Sequence, residues 1–383
     1  MPSGQSRARF GPAFPGGTGG SVTTRVRATL RGCLLARQGA AGKPRPTPAE
    51  LPESDRERRS WLADGSRYFE PSTRVGLGAA RTVRQFGPAL YNPPMPGSAD
   101  CQLATLLVHC PDRRGIVAAL AQLLFGHGAN ILDSDQHSDV PASQFFQRLR
   151  FDLSELLTDR GTLERAINEV AERFEMKVRL SYENDVKRVA LFVSKYDHCL
   201  VDLLHRHRSG ELNCHIPVII SNHAELEPIA RHFEIPFRVF PLTKETKREQ
   251  EARELELLEG ERIDLVVLAR YMQILTPEFI GRYPLKIINI HHSFLPAFIG
   301  GRPYHQAYER GVKLIGATAH YATANLDEGP IIEQDVIRCS HRDTVADLTR
   351  KGRDVEKLVL ARAVRHHLDD RVIAYGNKTV VFD

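Results

Sequence analysis

The pattern of apolar and polar positions changes character near residue 100. Residues 1–97 are rich in Gly, Pro, Arg, Ala and Ser and sustain neither a helical nor a strand period. Such a stretch buries too little apolar surface to offset the entropy of ordering it, so an unstructured extension is expected there. From Leu103 the pattern is regular. Residues 103–109 form an apolar run that reads as a buried strand. Cys110-Pro-Asp112-Arg113-Arg114-Gly115 then opens a helix in which Ile116, Leu120, Leu123 and Leu124 recur at helical spacing, and Gly126 and Gly128 end it. Asn130 to His137 and Gln144 to Phe151 read as paired strands, Leu163 to Phe174 as a helix, and Met176 to Ser181 as a last strand. The order βαββαβ predicts a ferredoxin-like unit over residues 98–182.

From Val186 strands and helices alternate. Strands are expected at 187–194, 215–221, 236–240, 263–269, 286–290, 313–322 and 330–338. Helices are expected at 197–208, 223–233, 244–260, 272–282, 302–310 and 343–369. This alternation predicts an α/β unit over residues 186–383, with a doubly wound, mostly parallel sheet. The tail from Ala374 to Phe382 reads as a short hairpin around Gly-Asn. The helix at 244–260 carries Glu245, Glu249, Glu251, Glu254, Glu256 and Glu259 among Lys and Arg, and reads as a solvated face with i,i+4 pairs.

Candidate chemistry concentrates where Lys286-Ile-Ile-Asn289-Ile-His291-His-Ser293-Phe-Leu-Pro296 leaves a buried strand. In open parallel sheets ligands bind just beyond the carboxyl ends of the strands. Asn289 and His291 are two residues apart, so in a strand they point to one side. An amide donor beside an imidazole suits chemistry at a carbonyl: one holds the developing oxyanion and the other moves a proton. A histidine at a strand end is most often only a satisfied polar residue. Asp327 adds weight. It lies in a loop between two strands, before Gly329-Pro330. Alone it is an ordinary turn aspartate, but a carboxylate that reaches an imidazole orients it. Ser293 lacks the strand-to-helix elbow of a covalent nucleophile.

Asn-x-His followed by Ser and Leu-Pro, with Leu-Asp-x-Gly-Pro downstream, resembles the formyltransferase fold of folate enzymes. Glycinamide ribonucleotide formyltransferase is its best-known member. By position the resemblance implies Asn289, His291 and Asp327 as the catalytic trio. Leu268-Ala-Arg-Tyr-Met-Gln-Ile-Leu-Thr-Pro resembles the loop that grips the pterin, which implies Tyr271, Met272, Gln273, Ile274 and Leu275, with Ser293, as substrate-binding residues. Residues 103–383 are similar more narrowly to the formyltetrahydrofolate deformylase family, which hydrolyses 10-formyltetrahydrofolate to formate and tetrahydrofolate. Three features carry this. Residues 103–180 look like an ACT domain, although the usual Asp-Arg-Pro-Gly is Asp112-Arg113-Arg114-Gly115 here. The stretch from Phe294 to Gly311 matches the deformylase form of the motif. Transformylases cradle a substrate phosphate with a Gly-rich loop after the first strand, whereas Val193 to Leu204 holds no glycine, which leaves water as the acceptor. Asp327 would either orient His291 or position that water.

The same resemblance implies regulation by amino acids, methionine and glycine, at Gly128, Ala129 and Asn130, often at a subunit interface. It implies a homo-oligomer, no cofactor beyond the folate substrate, and a part in balancing the folate pool and supplying formate for purine synthesis. Two other readings stay open: a formyltransferase to an amine acceptor, and a non-catalytic folate or amino-acid sensor.

Composition narrows the class further. The net charge of +5 does not point to nucleic acid, because eight Lys or Arg and no acidic residue lie in residues 1–49, and the rest is slightly acidic. The six cysteines form no Cys-x-x-Cys pair and no His-Glu-x-x-His occurs, so reduced thiols and no metal are expected. No run approaches 18 apolar residues, so no membrane span and a cytoplasmic location are expected. The Arg-rich, acid-free start resembles an organellar transit peptide, which would make the location mitochondrial. Met95 otherwise opens a natural start just ahead of the first strand.

Overall fold

The computed structural model describes residues 102–297 and 302–383, all within one compact unit. The extension over 1–97, the start at Met95, Cys33 and Cys101 lie outside the described residues.

The first part has the expected order: β1 (Leu103–Pro111), α1 (Ile116–Gly126), β2 (Asn130–Asp139), β3 (Gln144–Asp152), α2 (Arg160–Phe174) and β4 (Lys177–Tyr182). The strands form an antiparallel sheet in the order β2-β3-β1-β4. Alternation along β3 gives its two faces different partners. Phe145, Leu149 and Phe151 pack with Ile116, Leu120 and Leu124 of α1 and Leu163 and Ile167 of α2. Phe146 points the other way and joins Leu107 against Ile373 and Phe382. Ile373 belongs to the C-terminal hairpin of β12 (Val372–Tyr375) and β13 (Lys378–Val381), and Phe382 directly follows that hairpin. The hairpin read from the tail therefore forms the seam between the two halves. Buried Arg148 fixes that seam, with Nε donating to the Asp370 carbonyl at 3.1 Å and Nη1 to Asp133 at 2.9 Å. The Asp370 carboxylate in turn takes Lys187 at 2.7 Å and Arg179 at 3.4 Å.

The second part alternates β5 (Arg188–Val193), α3 (His198–Arg208), β6 (His215–Ser221), α4 (Glu227–His232), β7 (Phe237–Val239), α5 (Lys247–Gly260), β8 (Leu265–Leu268), α6 (Pro277–Arg282), β9 (Ile287–His291), α7 (Pro303–Arg310), β10 (Leu314–Tyr321), β11 (Ile331–Arg338) and α8 (Val345–Leu368). Seven strands form one sheet in the order β11-β10-β9-β8-β5-β6-β7. Helices cover both faces: residues of α3 and α8 share one apolar cluster, and residues of α5 and α6 share another. The sheet is mostly parallel, but β10 runs antiparallel to both β9 and β11. Only residues 322–330 join β10 to β11, too few for the crossover that a parallel pair needs.

Two sequence expectations are corrected. The helix expected over 272–282 spans only Pro277–Arg282, because Thr276 caps it by accepting from the Phe279 amide and Pro277 follows at the first turn. The glutamates of α5 do not all face solvent. Glu249 makes the expected i,i+4 pair with Arg253, but Glu251 is 3% exposed and Glu254 is fully buried. Glu251 accepts from the Thr276 amide and hydroxyl, and Glu254 accepts from the Tyr271 hydroxyl at 3.4 Å. The i,i+3 spacing puts both carboxylates on one helix face, and here that face is the inner one.

Burial, reinforced by Glu251, pushes the Glu254 carboxyl up to about 8, against an ordinary 4.5. The folded state therefore keeps a proton that the unfolded state has lost between those values. The stability from this group is complete below the unfolded value and falls as pH rises toward 8. Glu254→Gln keeps an acceptor for Tyr271 and does not ionise. Its thermal midpoint should gain on the parent protein by about 5 °C between pH 5 and pH 8. An equal difference at both pH values would contradict a buried, proton-holding Glu254.

Candidate functional site

The site stands at the end of β9, where four elements converge. In the antiparallel register Asn289 lies opposite His320 and His291 opposite Thr318. Thr318 holds the turn after β9: its Oγ1 donates to the Ser293 carbonyl at 2.9 Å and accepts from the Leu295 amide at 3.0 Å. Asp327 enters from the β10–β11 loop with a φ of 57°, in the left-handed region. Gly329 lets that loop close on β10. A Cβ at this position would sit 1.7 Å from the Tyr321 carbonyl oxygen, a backbone atom that cannot move aside.

The three expected residues come together. Asp327 Oδ2 lies 3.1 Å from His291 Nδ1, and Oδ1 lies 3.6 Å from His320 Nε2. Asn289 Nδ2 lies 3.2 Å from that same His320 nitrogen. A carboxylate accepts, so His291 donates through Nδ1. Its Nε2 is buried and has no hydrogen-bond partner among the described residues. His320 Nδ1 lies 3.0 Å from the Tyr321 carbonyl, which also only accepts. In the uncharged ring, His320 Nε2 is thus an acceptor that turns the Asn289 amide nitrogen toward it, leaving a second N–H of that nitrogen unspent. Burial would raise the Asp327 carboxyl, but the hydrogen bond from His291 Nδ1 outweighs it and holds the group well below the usual carboxylate range. A fixed anion, an imidazole with a free nitrogen and an oriented amide donor thus line one cavity of about 290 Å³. This arrangement can take a proton from water and stabilise negative charge on a carbonyl oxygen.

Tyr271, Met272, Gln273, Ile274 and Leu275 line the same cavity. Met272 and Ile274 are exposed, and Leu275 and Tyr271 are buried. The loop is tied down from three sides: the Met272 amide donates to Ser194 Oγ at 3.0 Å, Lys247 reaches the Ile274 carbonyl, and Glu251 holds Thr276. Ser293 is not brought to this cavity. It lines an adjoining apolar one with His292, Phe294 and Tyr304, and its hydroxyl donates to the Ala297 carbonyl at 2.7 Å. Gly128, Ala129 and Asn130 form the turn between α1 and β2, with Gly128 at φ 82° and Asn130 exposed.

Three contributors were not singled out from the sequence. His320 becomes visible only once the β9–β10 register is known. Ser194 lies in the glycine-free segment, where its hydroxyl is the useful feature. Arg270 sits inside the segment read as a folate loop, and a charge at the end of an apolar strand was the available signal. Among the described residues, His198, Cys199 and Glu356 bring donor atoms within 4.8 Å of one another. Glu356, however, accepts from His198 Nε2 at 2.8 Å and from the Tyr304 hydroxyl, and faces Arg270 at 3.4 Å. A guanidinium against the same carboxylate suits an ion-pair network better than a metal.

Comparison with known proteins agrees with this architecture. A formyl transferase family model matches residues 187–364, and an ACT domain model matches residues 104–175. A formyltetrahydrofolate deformylase of Synechocystis sp. is 57% identical over 279 residues, covering 73% of this chain and 98% of the relative. One of Escherichia coli is 45% identical over 284 residues, with the same two coverages. The crystal structure of a formyltetrahydrofolate deformylase from Pseudomonas syringae is 47% identical and superposes with a TM-score of 0.73, over 75% of this chain and 96% of that one. A glycinamide ribonucleotide transformylase from Symbiobacterium toebii is 30% identical with a TM-score of 0.50, and covers 54% of this chain. Likeness that spans both the ACT unit and the larger sheet, over nearly the whole length of its relatives, places this chain in the formyltetrahydrofolate deformylase family.

Proposed function

We propose that this chain hydrolyses 10-formyltetrahydrofolate to formate and tetrahydrofolate, with Asn289, His291 and Asp327 as the catalytic groups. The observation that carries the assignment of roles is His291 itself. Asp327 occupies Nδ1, Nε2 is buried with no hydrogen-bond partner among the described residues, and the residue lines the cavity together with Asn289. Water adds to the formyl carbon as Nε2 takes its proton. The carbonyl oxygen becomes an alkoxide, which Asn289 Nδ2 meets with its free N–H. The C–N10 bond then breaks as the imidazolium returns its proton to N10, and the formic acid formed gives its remaining acid proton to the neutral imidazole and leaves as formate. Asp327 stabilises the imidazolium between those steps. Tyr271 to Leu275 grip the pterin, largely through a backbone held by Ser194 and Glu251, while Ser293 fixes the turn that follows His291. The reading assigns no cofactor and no metal.

The ACT unit acts in this proposal as an amino-acid sensor at Gly128, Ala129 and Asn130, with methionine and glycine as effectors. The exposed Phe125 and Leu157 near that turn offer apolar surface to a second copy. Hydrolysis under such control balances the one-carbon folate pool and supplies formate for purine synthesis. We place the protein in the cytoplasm. The four cysteines among the described residues are all unpaired, and no described helix is long and apolar enough to cross a membrane.

Incubation with 10-formyltetrahydrofolate and no amine should release formate stoichiometrically with tetrahydrofolate. A requirement for an amine acceptor would make the protein a transferase instead. His291→Ala and Asp327→Asn should each lower turnover by at least ~10²-fold while folate still binds, since proton transfer contributes about 10²–10⁴. Asn289→Ala should cost roughly 10²–10³ as a lost oxyanion donor. Turnover near that of the parent in any of the three would remove that residue from the mechanism. Asn130→Ala should blunt the response of formate release to methionine or glycine and leave release without effector largely intact. If neither amino acid changes the rate or the thermal midpoint of the parent protein, the sensing role is wrong.

A further inference from the structure

Arg270 is a buried cation that the hydrolytic mechanism does not use. It follows β8 at a φ of 65°, a backbone conformation that favours glycine. Its side chain is only 9% exposed. Nε and Nη1 are buried and have no hydrogen-bond partner among the described residues. Glu356 lies 3.4 Å from Nε, close enough for an ion pair but without a hydrogen bond to that nitrogen, and its carboxylate accepts instead from Tyr304 and from His198. The ring of Tyr196 stacks near the guanidinium at 5.1 Å and supplies no acceptor. Donors left unpaired in a buried position are costly and rare, unless a ligand completes them.

Arg270 lines the cavity that also holds Asn289, His291 and Asp327, and it is the one Lys or Arg among the residues that line it. The reaction changes the charge at this point. A formamide enters uncharged, and formate leaves as an anion formed beside the carboxylate of Asp327. Of the cavity's other basic groups, His292 cannot balance that charge at neutral pH, because burial and the nearby Arg270 push its imidazole down to about 4.

We propose that Arg270 forms a carboxylate subsite within the catalytic cavity, which takes the formate that hydrolysis releases. The guanidinium is planar, permanently charged and provided with spare donors, which suits a small planar carboxylate. It holds formate off Asp327 until tetrahydrofolate departs. The inference rests on the hydrolase reading. A second source of the same chemistry is a glutamate carboxylate of the folate tail, and the test separates the two.

Binding of ¹³C-formate to the full chain is measured by line broadening, in the presence and absence of tetrahydrofolate. The parent protein should bind formate saturably. Arg270→Gln should weaken that binding at least ~10-fold, the order expected for losing a charge-assisted hydrogen bond. Arg270→Lys, which keeps the charge, should lose less, and Arg282→Gln, at an exposed arginine paired with Glu259, should lose nothing. Affinities for tetrahydrofolate and for its analogue without glutamate are measured on the same proteins. A loss confined to the glutamate-bearing ligand assigns Arg270 to the tail and overturns the formate assignment. Unsaturable formate binding in the parent, or unchanged affinity in a folded Arg270→Gln, also overturns it. If Arg270→Gln does not fold, a crystal structure of the parent with tetrahydrofolate and formate decides. Formate on the Arg270 guanidinium supports the proposal, and formate elsewhere or absent overturns it. Because binding is read without turnover, a protein that releases formate but binds it independently of Arg270 refutes only this subsite. A protein that releases none refutes the hydrolase reading instead.

Discussion

The contact between Asp327 and His291 Nδ1 is the constraint on which the rest of the site depends. A carboxylate this buried is stable as an anion only if hydrogen bonding outweighs desolvation, and the His291 imidazole supplies the short contact that does so. The sequence must therefore deliver three separated segments to one point. Strand β9 brings Asn289 and His291, β10 brings His320 in register, and the loop before Gly329 brings Asp327 back over both. Strand β10 runs antiparallel past β9 and ends opposite Ile288, so the loop that leaves it must turn back along β9 for Asp327 to reach His291.

The loop over 271–276 obeys a related logic. Met272 and Ile274 are exposed at the cavity rim, an unfavourable place for apolar side chains unless a ligand covers them. The loop does not collapse onto the core, because its backbone is held by Ser194, Lys247 and Glu251. Behind it, Glu254 and Tyr271 form a buried polar contact against Phe192. The carboxylates of α5 serve as structural anchors for a binding loop, and they are set on the inner face of a helix whose outer face is charged.

Much of this was legible in the sequence. Strong apolar runs such as Ile287 to Ile290 fixed most strands to within a residue or two, and two short motifs identified Asn289, His291 and Asp327 before any geometry was known. What remained hidden depended on contacts far apart along the chain. The inward turn of Glu251 and Glu254 follows from packing against the loop at 271–276, which local charge patterning does not report. His320 required strand register, and the placement of Ser293 in a neighbouring cavity required the turn that Thr318 holds. Arg270 looked like one polar residue in a loop, and its significance lies in Nε and Nη1, which have no hydrogen-bond partner among the described residues. The C-terminal hairpin read correctly as a hairpin, but its role as the seam beneath the ACT sheet emerged only from Phe146 and Arg148 on the far face of β3.

The most direct test of the account is the tautomer of His291, read by ¹⁵N NMR on selectively labelled, ligand-free protein. Asp327 at Nδ1 requires that the uncharged ring carry its proton there, with Nε2 unprotonated and without a hydrogen-bond partner among the described residues. The spectrum should show a pyrrole-like Nδ1 and a pyridine-like Nε2 for His291, and this preference should be lost in Asp327→Asn. A His291 ring protonated at Nε2 in the parent protein would leave no base facing the substrate, and would contradict the arrangement on which the mechanism stands.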